Sequence, residues 1–453
     1  MTSYPEDLRA MALEHLWMHN ADWEEMTETG EPLIMVDGKG LRVTDSTGNS
    51  WLDVNGGYAS VSVGYGQQEI AAAAYEQLQR MCYFPMRTTT PPAILLAAKL
   101  AAMTPGSLSR SFLVSGGSEA NETALKIARA YHHRQGHSGR YKIISRRDSY
   151  HGSSGGVLWL GSVANVPRSD YEPAYPGMLY APQPNVYRCE SASQSAEQCA
   201  NHCLTATRDL IESNEPETIA ALIAEPVASG PGAIVPADGY WPQLRELCDH
   251  YGILLIVDEI ITGFGRTGKM FASNHWNIVP DIMTLGKGIS SSYMPLGAAI
   301  VRSEIAQAFT GPDNYLRHVF SFAGHPAAAA VSLKNIEILE RERLADQARE
   351  IGSYFKQRLQ ELQDRHQLIG DVRGIGLMLS IELVANRETK ERFPADLKVT
   401  DRLTAKFKRA GLLLRAHGNT LVNFSPPLCI TRDEVDEVVT TVDHSLGEIE
   451  REL

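Results

Sequence analysis

The stretch LLIVDE, residues 254–259, places four consecutive apolar residues directly before two acidic residues. Ten or more residues with helical spacing, such as 121–133 and 241–250, separate several similar runs. Those other runs are at 112–114, 141–144, 221–224 and 297–301. Short buried strands that alternate with helices are typical of a mostly parallel sheet covered by helices on both faces. The sequence therefore predicts an α/β fold.

The chain has 453 residues, which is enough for about two structural domains. The alternation of strands and helices predicts a large domain at 65–326. We expect residues 1–64 and 327–453 to form a small α+β domain together. The segments behind this expectation are a helix at 6–19, a β-hairpin at 33–36 and 41–43, long helices at 327–340 and 345–366, a strand at 377–383 and a helix at 433–450.

Charge and composition exclude several classes of partner. The chain carries 42 Lys and Arg against 54 Asp and Glu, a formal charge of −12, which argues against nucleic acid or an anionic membrane. The longest apolar run, 93–103, is too short to span a bilayer, and no secretory signal is visible, so we expect a cytoplasmic protein. Six scattered cysteines indicate reduced thiols. Cys199 and Cys203 lack a second ligand pair, so no metal site is predicted.

Polar residues that directly follow the apolar runs are the candidates for a ligand site, because open α/β sheets bind ligands beyond the carboxyl ends of their strands. Asp258 follows one run; it is either a helix cap or a fixed negative charge facing a cationic ligand atom. The run at 112–114 leads into SGGSEANE at 115–122, where the free N–H groups of a helix start attract phosphate. This loop lacks both the GxGxxG pattern and the P-loop lysine, which argues against a dehydrogenase or an ATPase.

Two further candidates complete the set. Tyr150, after the run at 141–144, could stack on a flat ring or pack against a loop. Lys287 stands between two glycines that should leave its backbone accessible, and it is either a surface lysine or an amine that attacks a carbonyl. A phosphate cradle, an aromatic ring, an acid and an imine-forming lysine together describe a pyridoxal phosphate site.

At this point the chain resembles a known family. The stretches that match in order are GGSEANETALKIAR (116–129), SYHG (149–152), EPV (225–227), GYW (239–241), LLIVDEIITGFGRTGKMF (254–271), PDIMTLGKGI (280–289) and SFAGHP (321–326). They resemble the class III, ω-type aminotransferases among the fold type I pyridoxal phosphate enzymes, over nearly the whole chain. The resemblance implies a seven-stranded sheet in the large domain and pyridoxal 5′-phosphate as the cofactor.

The resemblance also implies roles for individual residues. Lys287 would bind the cofactor through an imine and then carry the proton between substrate carbon and cofactor. Asp258 would keep the pyridine nitrogen protonated. Gly117 and Ser118, at a helix start, would hold the phosphate.

The remaining cofactor contacts follow from the same motifs. Tyr150 and Ile260 would lie on opposite faces of the ring, with His151 beside them and Glu225 in support. Ser321 stands where the family has a threonine that reaches the phosphate of the partner subunit. The resemblance thus implies a homodimer, or a tetramer built from it, with active sites at the subunit interface.

Departures from the family pattern concern the substrates. Ile261 and Gly230 stand where many users of 2-oxoglutarate have glutamine and glutamate, which is closer to the amine:pyruvate and taurine:pyruvate branches. Arg415 matches an arginine that binds the carboxylate of pyruvate, although a surface arginine is the alternative. Ala59 replaces a tryptophan of related enzymes and leaves Tyr58 as a wall, which predicts a donor bulkier or longer than phenylethylamine.

The sequence therefore predicts an aminotransferase that moves an amino group from a primary amine or an ω-amino acid to pyruvate by a ping-pong mechanism. One alternative within the fold is an aminotransferase that uses 2-oxoglutarate. A decarboxylase, an aminomutase and an epimerase are others, and a requirement for a keto acid separates a transaminase from these. A cofactor-binding protein without turnover is an alternative of another class, against which the presence of both Lys287 and Asp258 argues.

Overall fold

The computed structural model describes residues 7–85, 87–161, 168–191, 195–418 and 420–453. The strands are β1 Met35–Lys39, β2 Arg42–Asp45, β3 Ser50–Asp53, β4 Leu108–Val114, β5 Lys142–Arg146, β6 Met178–Ala181, β7 Ile219–Ala224, β8 Leu254–Asp258, β9 Ile282–Leu285, β10 Gly297–Arg302, β11 Ile369–Ile375, β12 Met378–Leu383, β13 Leu412–Leu413, β14 Arg415–His417 and β15 Leu421–Phe424. The helices are α1 Leu8–His15, α2 Trp23–Thr29, α3 Gly56–Ala59, α4 Gln68–Arg80, α5 Pro91–Met103, α6 Gly117–Arg134, α7 Ala196–Glu212, α8 Tyr240–Tyr251, α9 Ser303–Gln307, α10 Pro326–Arg341, α11 Leu344–Arg365, α12 Val399–Arg409 and α13 Arg432–Glu452.

A seven-stranded sheet in the order β4-β10-β9-β8-β7-β5-β6 forms the centre of the molecule. Strand β10 is antiparallel to both of its neighbours, and the other neighbouring pairs are parallel. Every residue of β7 and of β8 is buried, as expected for strands covered on both faces. The expectation of a mostly parallel, seven-stranded α/β sheet is confirmed.

Several elements depart from the sequence prediction near the N-terminus. The helical pattern at 6–19 yields only α1, none of whose residues is buried, and α2 follows as a separate helix that was not anticipated. The β1–β2 hairpin is confirmed, but β3 adds a third antiparallel strand. An exposed helix has little apolar contact to extend it, which explains why the pattern overestimates its length.

The N-terminal strands share a sheet with a C-terminal strand, because β13 pairs in parallel with β3 through Leu412 and Leu52. A third sheet has the order β11-β12-β15-β14. The long C-terminal helices α10, α11 and α13 lie where the sequence predicts them. The domain boundaries at 64/65 and 326/327 stay a prediction. No helix in the described ranges has both the length and the apolar character needed to cross a membrane.

Candidate active site

The carboxyl ends of β8 and β9 bring two of the predicted site residues together. In the register of these parallel strands, Asp258 lies opposite Thr284, and Lys287 follows three residues later in a short 3₁₀ turn. Helix α6, which begins at Gly117, follows strand β4 in the same sheet. Polar residues that directly follow different strands along the chain therefore meet at one edge of the sheet, as the general rule for open sheets predicts.

The glycines around Lys287 have a different purpose from the expected one. Gly286 and Gly288 are both buried, so they do not leave the backbone accessible, and that expectation was wrong. A Cβ on Gly286 would lie 3.2 Å from the Ile260 side chain, and one on Gly288 would lie 3.0 Å from Cβ of Phe264. The glycines are needed because the lysine turn packs tightly against the segment that follows β8.

The amine of Lys287 is easier to deprotonate than an ordinary lysine. Burial is the main cause and lowers its pKa to about 8, while the charges of Asp258 and Glu225 act in the opposite direction. The positive charges of Arg415 and Arg266 lower the pKa of Lys287 further. A lysine of this kind is partly neutral near pH 8, as nucleophilic attack on a carbonyl requires.

Asp258 is a buried carboxylate whose position is set by three donors. The Asn121 side-chain amide donates to Oδ2 over 2.8 Å, and the backbone N–H of Ile260 donates to Oδ1 over 3.0 Å. His151 Nδ1 lies 2.8 Å from Oδ2 and donates, because an ionised carboxylate only accepts. Sequence reasoning missed Asn121; the signal for it was a polar residue on the buried face of α6, where it is fully buried.

The start of helix α6 is built to receive an anion. No side chain caps its first turn, and a Cβ on the N-cap residue Gly116 would meet nothing within 4 Å. The Ser118 hydroxyl accepts the backbone N–H of Ser153 over 3.2 Å. Gly152 has φ +129°, and a Cβ there would lie 2.5 Å from that hydroxyl, so only glycine fits beside the helix start.

A cavity of about 130 Å³ connects these groups. Its lining comprises Gly117, Ser118, Tyr150, His151, Gly152, Glu225, Asp258, Ile260, Ile261, Thr262 and Lys287. Pyridoxal phosphate fits this donor set: uncapped N–H groups suit the phosphate, and an oriented carboxylate suits the ring nitrogen. The buried Nε2 of His151, which has no partner among the described residues, is a further polar atom available at the cavity.

Glu225, in the lining of this cavity, accepts hydrogen bonds from two other segments of the chain. Its Oε1 accepts the backbone N–H of Tyr150 over 3.3 Å, and its Oε2 accepts the backbone N–H and the hydroxyl of Ser229, each over 2.8 Å. Glu225 is buried, and Tyr150 is exposed. The carboxylate therefore sets the position of both the aromatic residue and the segment that follows β7.

A second cavity, of about 310 Å³, shares Tyr150, Ile261 and Lys287 with the first. Its other lining residues are Asn20, Asn55, Tyr58, Ala59, Ser229, Gly230, Ala233, Met378, Leu379, Arg415, His417, Asn423, Phe424 and Ser425. The structure thus brings the predicted substrate residues Tyr58, Ala59 and Arg415 to one space beside Lys287. A substrate in this cavity would lie beside Lys287.

The lining of the second cavity includes a neutral histidine that sequence reasoning missed. Burial, and then the charge of Arg415, lower the pKa of His417 to about 4. The Asn423 amide lies 2.9 Å from His417 Nε2 and donates to it, and Ser380 donates to the Asn423 carbonyl oxygen over 2.7 Å. No motif pointed to these residues, since they meet only when β12, β14 and β15 pair.

Within one chain, Ser321 lies apart from the other predicted site residues. It lies exposed in a separate groove of about 550 Å³, where the Tyr83 hydroxyl donates to its backbone oxygen. The same groove includes Phe84, Val319 and Phe320. A role for Ser321 at a cofactor therefore needs a second copy of the chain.

Comparison with known proteins identifies the family. A family model described as aminotransferase class-III matches residues 25–446. This chain belongs to the class III aminotransferase family. As a member, it is an aminotransferase of the fold type I architecture, and it depends on pyridoxal phosphate.

Relatives of this class III aminotransferase match along almost the full chain. The putrescine–pyruvate aminotransferase of Pseudomonas aeruginosa is 36% identical, over 95% of this chain and 94% of its own. The taurine–pyruvate aminotransferase of Bilophila wadsworthia is 36% identical, over 100% of both chains. The crystal structure of an (S)-enantioselective ω-transaminase from Thermomicrobium roseum is 38% identical and superimposes with a TM-score of 0.94, covering 99% of this chain and 100% of that one.

Proposed function

We propose that this aminotransferase moves an amino group from a primary amine or an ω-amino acid to pyruvate, in two half-reactions of a ping-pong cycle. The names of the two pyruvate-dependent relatives support this acceptor. The observation that carries the proposal is the position of Lys287, which lines both cavities and whose amine has a pKa lowered by burial to about 8. One group can therefore serve the cofactor on one side and the substrate on the other.

Residues of this chain have separate tasks in the proposed cycle. Pyridoxal phosphate, when bound, supplies an electron sink for the carbon that loses its proton. Lys287 would take that proton with its Nζ and carry it from the substrate carbon to the cofactor. Asp258 keeps the proton on the pyridine nitrogen, and its hydrogen bonds from Asn121 and His151 keep its carboxylate in place.

The phosphate and the ring have their own proposed contacts. Gly117 and Ser118, at the uncapped start of α6, hold the phosphate through N–H and hydroxyl groups. Tyr150 and Ile260 line the same cavity and hold the two faces of the ring. Glu225 supports Tyr150 through the hydrogen bond to its backbone.

Arg415 is the proposed acceptor-binding residue. Arg415 lines the substrate cavity, and a carboxylate such as that of pyruvate pairs with a guanidinium through two parallel hydrogen bonds. Ile261 and Gly230 line the same cavity as short, uncharged residues, which supports pyruvate over the longer 2-oxoglutarate. Ala59, half-buried at this cavity, leaves room for a donor bulkier than phenylethylamine.

The proposed assembly is a homodimer with shared active sites. The groove around Ser321 exposes large apolar side chains, including Phe84, Ile94 and Val319. A contiguous apolar surface of this kind suits a protein partner, and a second copy would also bring Ser321 near a cofactor. Sedimentation of Ser321→Ala and of the wild-type protein tests the assembly, and the cofactor affinity of the variant tests the shared site: we expect an unchanged dimer with weaker cofactor binding.

A spectroscopic titration of the purified holoenzyme tests the reaction itself. We expect the visible absorbance band of the bound cofactor to disappear with a primary amine and to return with pyruvate. A band that returns only with 2-oxoglutarate would overturn the acceptor. Turnover of the amine without any keto acid would instead indicate a decarboxylase, an aminomutase or an epimerase.

A further inference from the structure

One wall of the substrate cavity is a tight turn after β7. Ser229, Gly230 and Ala233 line the cavity, and the turn is closed by the backbone N–H of Gly232, which donates to the Ser229 oxygen over 3.1 Å. On either side of the turn, two backbone hydrogen bonds of 3.1 and 2.9 Å join residues 228 and 234. The position of this wall therefore depends on what holds the turn.

Arg373, on β11, holds the turn from behind. Its Nε donates to the Gly232 oxygen over 2.5 Å, and its Nη2 donates to the Pro231 oxygen over 2.7 Å. Two consecutive carbonyls thus receive two donors of one planar guanidinium, a geometry that a lysine amine does not reproduce. Gly232 has φ +89°, and a Cβ there would lie 2.7 Å from Nη2, so glycine is required for this close approach.

The guanidinium is itself fixed by two carboxylates, of which that of Glu382 is buried and that of Asp371 half-buried. Arg373 Nη1 lies 2.8 Å from Asp371 and 2.7 Å from Glu382. Glu382 also pairs with Nε of Arg188 over 2.6 Å. The Glu382 side chain is only 4% exposed and that of Arg373 is 11% exposed, so solvent does not compete strongly for these bonds. The guanidinium of Arg373 therefore has little freedom to move.

The opposite end of the turn is tied to the cofactor cavity. Ser229 donates twice to the Glu225 carboxylate, which lines that cavity. The turn is therefore held by hydrogen bonds to Glu225, which lines the cofactor cavity, and to Arg373 of β11. A change at either support displaces the same stretch of cavity wall.

We propose that Arg373 is a positioning residue that sets the width of the substrate cavity and thereby the size of amine that the enzyme accepts. This inference rests on the proposed amine substrate, and it adds a residue that is not part of the cavity lining. Arg373 acts through the turn at 229–232, so its loss should change discrimination between amines of different size rather than the chemical step itself.

The test is the ratio of kcat/KM for a bulky donor, naphthylethylamine, to that for a small donor, isopropylamine, with pyruvate as acceptor. Arg373→Lys keeps a positive charge near Asp371 and Glu382 but removes the planar guanidinium that donates to two carbonyls of the turn. We expect this ratio to change by about tenfold or more, with the change in the KM for the bulky donor. The KM for isopropylamine and the affinity for cofactor should stay near the wild-type values.

A matched control comes from Arg140, whose guanidinium also donates to backbone oxygens, those of Ile219, Tyr251 and Gly252, away from the substrate cavity. Arg140→Lys should leave the ratio unchanged. Gly232→Ala disturbs the contact between Arg373 and the turn from the side of the turn, so it should shift the ratio as Arg373→Lys does. If Arg373→Lys does not fold, Gly232→Ala takes its place in the test.

The outcomes separate the inference from the proposed function. An unchanged ratio in whichever of Arg373→Lys and Gly232→Ala folds, or an equal shift in Arg140→Lys, overturns the positioning role while the aminotransferase assignment stands. Failure of wild-type enzyme to turn over either amine with pyruvate contradicts the proposed substrates, and the inference falls with them.

Discussion

The guanidinium of Arg415 lies 5.3 Å from the centre of the Tyr58 ring, and both residues line the substrate cavity. Tyr58 has φ +66° and Ala59 has φ +58°; they lie in the short turn Gly56–Ala59, given above as α3, whose four residues all have positive φ. Asp53 stabilises this turn by accepting the backbone N–H of Gly57 over 2.9 Å. The turn presents a ring, 66% exposed, as a surface on which the guanidinium stacks.

This contact leads to a prediction about pyruvate. Arg415→Gln removes the partner of the keto-acid carboxylate, so we expect the KM for pyruvate to rise about tenfold or more, since charge-assisted pairs contribute ~1.5–3 kcal/mol. The amine half-reaction, followed by stopped-flow absorbance, should change little. Tyr58→Phe retains the ring and should resemble wild type, whereas Tyr58→Leu should raise the KM for pyruvate by a smaller factor, because a cation–π contact contributes ~0.5–1 kcal/mol at exposed sites. An unaltered KM in Arg415→Gln would refute the assignment.

Ala59 gives a prediction about the donor. Ala59→Trp should lower kcat/KM for a bulky amine by about tenfold and leave isopropylamine nearly unaffected, because an indole at this position fills part of the cavity. Alanine and tryptophan both carry a Cβ, so the left-handed backbone costs about the same in each. Ala59→Gly is the control and should retain the wild-type kcat/KM for the bulky amine. Equal losses for small and bulky amines would argue that the position does not select size.

Lys287 should control how fast the apoenzyme takes up cofactor. Its amine must be neutral to attack, and its pKa is lowered to about 8, mainly by burial. We expect the rate of reconstitution with pyridoxal phosphate to rise with pH and to level off above about pH 8, whereas a lysine with an ordinary pKa near 10.5 would still be rising there. The growth of the visible band after mixing measures this rate, with Lys287→Ala as the blank. A rate that keeps rising to pH 10 would contradict the lowered pKa.

Asp258 should matter to turnover more than to cofactor binding. Asp258→Asn retains the shape but cannot hold the proton on the ring nitrogen, and its amide would face the donors of Asn121 and His151. We expect kcat to fall about 100-fold or more while the variant still binds cofactor. Absorbance of the holoenzyme and steady-state rates measure the two effects separately. Turnover close to wild type would show that the carboxylate has another purpose.

His132 should make the fold sensitive to acid. Its Nε2 lies 2.9 Å from the Ala220 oxygen, and burial lowers its pKa from 6.5 to about 4. Between these values the unfolded chain binds the proton and the folded chain does not, so stability falls as pH decreases through this window. His132→Gln keeps a donor but does not titrate, and its unfolding free energy should decline less, by up to ~3 kcal/mol, between pH 6.5 and 4. His417, whose pKa is also lowered to about 4, acts with the same sign and should leave a residual slope. Parallel urea denaturation of both proteins across this range checks the difference; identical slopes would contradict it.

The central sheet and most of the site could be read from the sequence because both depend on local order. Strands such as β7 and β8 are continuous apolar runs, and Asp258 and Lys287 follow their strands within a few residues. Strands β6 and β9 were not among the apolar runs that predicted the sheet, and the residues of β9 belong to the family motif that contains Lys287.

Contacts between segments distant along the chain were decided by the tertiary structure. Asn121 reaches Asp258 across 137 residues of sequence, and Arg373 reaches Gly232 across 141. The glycines beside Lys287 illustrate the same limit: their pattern was visible, but the close packing of Ile260 and Phe264 that requires them was not. The sequence by itself determined the fold class, the family and the chemical identity of the site residues, since these follow from apolar periodicity and short motifs. Only the tertiary structure decided the supports, the shape of the substrate cavity and the separate position of Ser321, because these depend on distances that no local pattern encodes.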